Sequence, residues 1–276
     1  SPGAVDVVDA NSMELVKSIL TAGGVHNTFM SPDSKHVIAG SISGRNLTVI
    51  DAESEVALWT LFFDAGVRPM SFETHPDGST RRIFVQLSNF HGFAVVNFDE
   101  RREEQTRVEL PTIPEEERHT EFLQGSPSHG QGVAPDGRTL WLCSKVNSHV
   151  YAYSLPDLEY LGGVHVGSHP DWLTFSPDSK YVYVANAGSN STSVVSVETL
   201  EEVTQIPVGQ VPKRVITAVI PAATVTAWST ADTGSSASVD REALDYEFYR
   251  DQVEPIFINK RGGLARCVVC HATRTR

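Results

Sequence analysis

Apolar and polar residues alternate along most of the chain in short runs, and turn-forming residues bound those runs at regular intervals. The last complete stretch shows it best. "DWLTF" (171–175) precedes a Pro-Asp turn, "KYVYVANAG" (180–188) follows, and a Gly, Ser and Asn cluster, "GSNSTS", makes the next turn. "SVVSVETL" (193–200) and "EEVTQIPVG" (201–209) then close the unit. Period-two alternation rich in β-branched and aromatic residues predicts four short strands. The turn itself recurs as "SPDSK" (31–35), "HPDGS" (75–79), "APDGR" (134–138) and "SPDSK" (176–180). Proline pre-sets φ for a type I turn, and the aspartate caps it.

The turn prolines, 32, 76, 135 and 177, are 44, 59 and 42 residues apart. The long interval contains "DERREEQTRVELPTIPEEERHTEF" (99–122), charged and twice broken by proline, which reads as a loop insertion of about 16 residues on a period of about 43. Four strands per period predict an all-β chain built as a β-propeller of four-stranded blades. The opening stretch, "AVDVVDANSMELVKSILTAGG" (4–24), aligns with the third and fourth strands of a blade. The stretch "VPKRVITAVIPAATVTAWS" (211–229) aligns with the first and second, with Pro221 falling 44 after Pro177. Joined, the two halves would form a composite blade that closes the ring and hides its edges. Five blades are then visible; seven would follow if the chain were longer at its N-terminus.

The segment "FSPDSKYVYVANAGSNSTSVVSVETLEEVTQIPVG", with Tyr183-Val184-Ala185-Asn186 at its centre, resembles the YVTN-type β-propeller repeat family over residues 4–228. That resemblance implies a propeller in an exported, periplasmic or cell-surface protein, and such propellers also occur joined to c-type haem domains. A fold assigns no function by itself.

Composition narrows the partners. With 34 acidic against 22 basic side chains, the net charge of −12 argues against a nucleic-acid partner. No apolar run approaches the eighteen residues of a transmembrane helix. From Arg241 to Arg276, seven basic and five acidic residues give +2, so the rest carries −14; residues 256–276 hold five basic residues and no acid. That end is either a solvated tail or a docking surface for an acidic partner.

The three cysteines make no disulfide framework. Cys143, inside "TLWLCSKV", reads as a buried small hydrophobe. After a polar tether, "STADTGSSASVD" (229–240), the run "DREALDYEFYRDQVEPIF" places Leu244, Phe248, Val253 and Ile256 at helical spacing, with Asp240 as N-cap and Pro255 near the end. Then comes Cys267-Val268-Val269-Cys270-His271. Three chemistries use such a signature. Covalent haem c takes both thiols as thioethers and the histidine as proximal iron ligand. A redox dithiol needs the start of a helix in an α/β unit. Half of a zinc site needs a second pair of ligands nearby. The predicted order of helix, loop and motif resembles the opening of a class I cytochrome c domain. On that resemblance Cys267 and Cys270 carry one haem c and His271 ligates its iron. The organisation expected is thus a propeller over 1–228, a linker over 229–240 and a c-type cytochrome segment over 241–276.

Class I domains supply a sixth ligand from a later methionine, and the methionines here are 13, 30 and 70. Either the chain continues beyond Arg276, or the propeller or a partner subunit completes the iron. His26 ("GGVHNTF"), His129 ("SPSHGQ") and His169 ("GSHPDW") stand before first strands, at what read as matched repeat positions facing the central channel. They are candidates for a metal- or haem-facing cluster, or a sequence preference of that turn. The leading expectation is an exported electron-transfer protein whose basic residues Lys260, Arg261, Arg266, Arg274 and Arg276 steer an acidic redox partner. The alternatives are an oxidoreductase with a substrate or metal in the funnel and the haem as electron outlet, and a non-catalytic subunit of a larger redox assembly.

Overall fold

The computed structural model describes residues 3–105, 107–121, 123–224 and 226. Strands β1 (Gly3–Val8) and β2 (Leu15–Thr21) form a two-stranded antiparallel sheet. The first four-stranded sheet is β3 (Asn27–Met30), β4 (His36–Ser41), β5 (Asn46–Asp51) and β6 (Val56–Phe62). The second runs through β7 (Val67–Thr74), β8 (Thr80–Leu87) and β9 (Gly92–Asn97), with β10 (Arg102–Glu103) and β11 (Val108–Glu109) both paired to β9. The third is β12 (Ser128–Val133), β13 (Thr139–Ser144), β14 (His149–Ser154) and β15 (Tyr160–His165). The fourth is β16 (Pro170–Phe175), β17 (Tyr181–Asn186), β18 (Ser191–Ser196) and β19 (Glu201–Pro207). Each is an up-and-down meander, and the whole is an all-β, propeller-like array. All these sheets lie in one unit of the chain, Pro2–Thr217.

The turns explain the regularity. Three positions per sheet take a left-handed backbone: Ser34, Arg45 and Glu55; Gly78, Asn89 and Arg101; Gly137, Ser148 and Leu158; Ser179, Asn190 and Leu200. Met13, at φ 58°, occupies the place of Glu55 in the β1–β2 turn. The opening pair therefore has the geometry of a third and fourth strand, as its sequence predicts. In the Pro-Asp turns, Ser31 Oγ donates to Asp33 at 2.6 Å and Ser176 Oγ donates to Asp178 at 2.6 Å. The same hydroxyls accept the backbone N–H groups of His36 and Tyr181 as the next strands begin.

Packing is between sheets. One apolar cluster joins the first and second sheets through Leu47, Val67, Ile83 and Val85. A second joins the second and third through Phe84, Phe93, Leu140 and Leu142. A third joins the third and fourth through Trp141, Cys143, Leu173 and Val184. Middle strands are thus covered on both faces, which is why "TLWLCS" is apolar without alternation. Outer strands have no such cover, and β19 is exposed throughout.

Two expectations change. The charged stretch 99–122 is not wholly an insertion: its first part supplies β10 and β11, the outer strand of the second sheet in two pieces. Arg107 ties the gap between them, donating to Glu103 at 2.7 Å and Asp64 at 2.8 Å. Among the described residues the composite blade is present only as its opening half, because residues 208–221 form no strand. Even so, Lys213–Thr217 runs between β16 and β3. Arg214 donates to Asn27 at 3.2 Å and lies 4.0 Å over the Trp172 ring, and Thr217 Oγ1 is 3.4 Å from Thr174 Oγ1.

Candidate functional site at the mouth of the inner strands

The inner strands β7, β12 and β16 share an irregularity at their first residues. Their pairing skips between Val67 and Met70, between Ser128 and Gln131, and between Pro170 and Trp172. A bulge frees a residue from the ladder and re-aims its side chain. Arg68, His129 and Asp171 occupy the freed positions. Close approach of the strands helps: a Cβ on Gly130 would sit 2.8 Å from the Asp171 carbonyl oxygen, so only glycine lets β12 lie so near β16.

Asp171 is the hub. Its side chain is 4% exposed. Oδ1 lies 2.6 Å from His129 Nδ1 and 3.1 Å from Lys145 Nζ, Lys213 Nζ stands 3.7 Å from Oδ2, and His129 Nδ1 also lies 3.1 Å from the Asp171 backbone carbonyl. Lys145, from the turn after β13, is equally hidden, at 5% exposure. Arg68 is half-buried and spends its donors on neutral groups, Ser88 Oγ at 2.9 Å and the Gln124 carbonyl at 2.8 Å. The His129 ring packs edge-on to Trp172 at 5.4 Å, and Trp172 carries Arg214 on its face. His26 lies at the same mouth, within the field of Arg68, His129 and Arg214.

The titration behaviour follows from burial against charge. For Asp171, burial works to raise the pKa, but the hydrogen bond from His129 and the charges of Lys145 and Lys213 outweigh it, and the carboxyl is held well below the usual range. Burial lowers His129 more than Asp171 raises it, so the imidazole is neutral at pH 7. Nδ1–H then donates to Asp171, and Nε2 is left as an acceptor with no protein partner among the described residues. Burial also lowers Lys145, against the pull of Asp171. His26 is lowered by burial and by Arg68.

Of the three histidines expected here, two share the site. His26 and His129 each stand six residues before their turn proline; His169 stands eight before Pro177, and the position equivalent to the other two is Asp171. The expected match of all three was off by two residues at His169. Its Nε2 meets the Glu121 carbonyl at 2.7 Å, Nδ1 meets Ser168 Oγ at 3.1 Å, and its ring lies 5.6 Å from His119. Among the described residues, no three His, Cys, Asp or Glu side chains converge as a metal site. Counting from each turn proline would have found Asp171 and also aligned Arg68 with Lys213, eight residues before Pro76 and Pro221. Lys145 carries no such signal.

Cys143 is fully buried and burial pushes its thiol well up, as a core residue should be. Cys267, Cys270, His271, the expected helix and tether, and Lys260, Arg261, Arg266, Arg274 and Arg276 lie outside the described residues.

No family model matches the chain. Among solved structures it is similar to a hydrazine synthase chain of Kuenenia stuttgartiensis, at 17% identity and TM-score 0.54, over 68% of this chain and 50% of that one. It is also similar to a functionally unknown protein from Desulfotomaculum acetoxidans DSM 771, at 14% identity and TM-score 0.60, over 75% of this chain and 64% of that one. The chain thus spans half to just under two-thirds of the length of these structures, and the likeness shows the fold alone.

Proposed function

We propose that this is an exported electron-transfer protein in which the propeller-like array is a rigid platform and the C-terminal segment carries one covalent haem c. The observation that carries the reading is the Cys267-Val268-Val269-Cys270-His271 spacing. The donor set fits the group. Two thiols at this spacing match thioether attachment, the adjacent imidazole matches an iron ligand, and the remaining cysteine, Cys143, is walled into the core and takes no part. When bound, haem supplies a reversible one-electron couple. The chain's own contribution would be attachment through Cys267 and Cys270, ligation through His271, and steering of an acidic partner by Lys260, Arg261, Arg266, Arg274 and Arg276. Attachment of haem c places the protein on the periplasmic side or at the cell surface. Among the described residues no helix is long and apolar enough to cross a membrane.

The test is a pyridine haemochrome spectrum with intact mass, on protein matured in a host competent for haem c attachment. We expect one haem per chain, lost in Cys267→Ser/Cys270→Ser. A colourless protein with both thiols open to alkylation overturns the reading.

A second reading, an oxidoreductase that drains electrons from a substrate held at the channel mouth, is favoured by one observation. Asp171 holds Nδ1 of His129 and leaves Nε2 as a free acceptor, the arrangement of an oriented general base. Loss of substrate-dependent haem reduction in His129→Gln, with haem content unchanged, distinguishes it from simple electron carriage.

A further inference from the structure

The mouth of the inner strands concentrates cations on a protein that is otherwise acidic. Arg68, Lys145 and Lys213 lie around one carboxylate, Asp171, and Arg214 sits on the ring of the next residue, Trp172; four positive charges against one negative leave three in excess. The whole chain carries −12.

The surplus is not absorbed by the protein. Lys145 and Lys213 share the single Asp171. Among the described residues, Arg68 has only a hydroxyl and a carbonyl as hydrogen-bond partners. Arg214 has an indole face and the Asn27 amide oxygen. Beside Arg214, the Nδ2 of Asn27 is buried with no acceptor among the described residues. A buried donor without a partner is costly, and a second lysine on one carboxylate adds repulsion. Both costs are relieved by an acceptor-only, negatively charged guest. Lys213 is 54% exposed, so the cluster opens to solvent at that side. The three bulges that aim Arg68, His129 and Asp171 inward set the geometry of the site before any guest arrives.

From this arrangement we infer that the mouth of the inner strands is a binding site for a small anion, an oxyanion or a carboxylate, held by Arg68, Lys145, Lys213, Arg214 and the Asn27 amide. The excess of positive charge rules out a cation as guest. An extended polyanion would meet the acidic remainder of the surface, so the guest is small. The site stands independently of haem attachment, because every residue in it belongs to the unit Pro2–Thr217 that holds the sheets.

The experiment is calorimetric titration of the full purified chain with inorganic phosphate, and separately with malonate, in low-salt buffer. Binding of phosphate or malonate supports the site, and their ranking assigns it to tetrahedral oxyanions or to carboxylates. In Lys213→Gln/Arg214→Gln, whose side chains are exposed and whose fold is checked by circular dichroism, affinity should fall at least about tenfold, equal to about 1.4 kcal/mol. Lys180→Gln, remote and 72% exposed, should bind like the parent. Two results overturn the inference: no binding of either probe at millimolar concentration, or equal affinity in the double variant and the parent.

Discussion

The imidazole of His129 turns Nδ1 to Asp171, 2.6 Å from Oδ1 and 3.1 Å from the backbone carbonyl, across the junction between the third and fourth sheets. The pair links two bulges that face each other, and it fixes which nitrogen of His129 is free. It also sets the charge balance of the mouth, since the same carboxylate oxygen holds the buried Lys145 at 3.1 Å.

Removing that carboxylate should be severe. Asp171→Asn leaves Lys145 buried without a counter-charge, and breaking a buried pair from one side costs about 3–5 kcal/mol. Lys145→Met should cost less, because Asp171 keeps His129 and Lys213. Urea unfolding of the two variants checks the order. At acid pH the contribution of Asp171, whose folded pKa is depressed, is complete above the unfolded carboxylate range near about pH 4 and is lost as pH falls below it.

His91 produces a separate pH dependence. Its Nε2 lies 2.7 Å from Ser144 Oγ, and burial, helped by Arg118, lowers its pKa to about 4. An unfolded histidine titrates near about 6.5. Between these values the unfolded chain binds a proton that the folded chain does not, so stability falls as pH drops from about 6.5 to about 4. Allowing for solvent at the partly exposed ring, the loss is about 2 kcal/mol. His91→Gln should flatten the urea midpoint over that window; an unchanged slope would refute the assignment.

The left-handed turn positions give a third prediction. Gly137 has φ 72°, and a Cβ there would meet nothing within 4 Å, so Gly137→Ala should cost about 1 kcal/mol through backbone strain alone. Ser34, the equivalent residue of the first sheet at φ 59°, is exposed and should gain a similar amount as Ser34→Gly. Thermal midpoints moving the opposite way would show that the turns are not equivalent.

Gly130→Ala tests the close approach at the site. The added methyl would meet the Asp171–Trp172 backbone, which has no flexible side chain to yield. We expect a loss of about 1–3 kcal/mol from overpacking, read as a lower urea midpoint. Anion affinity should fall with it, since β16 must shift.

On the proposed electron-transfer reading, exchange with an acidic partner protein should slow as salt rises, because exposed charges are screened beyond about 8 Å at physiological ionic strength. Lys260→Gln/Arg261→Gln should lower the rate at low salt and weaken its salt dependence, as followed by stopped-flow absorbance.

The strands, their turns and the repeat were legible in the order of the amino acids alone. Alternation and the Pro-Asp turn act over a few residues, so Tyr181–Asn186 and Thr139–Ser144 could be read locally. The half-blade character of 4–24 was legible for the same reason. The registration of the site was legible only by counting from the turn prolines, which puts Asp171 and not His169 in the place of His129. That a bulge frees Asp171 was not legible, because a bulge depends on how two strands pair rather than on either alone. Lys145 lies in an ordinary turn, and only the packing of the third sheet against the fourth buries it beside Asp171. The pairing of distant charges across sheet junctions is a property of the packed array, because burial, which decides what those charges do, exists only once the sheets have come together.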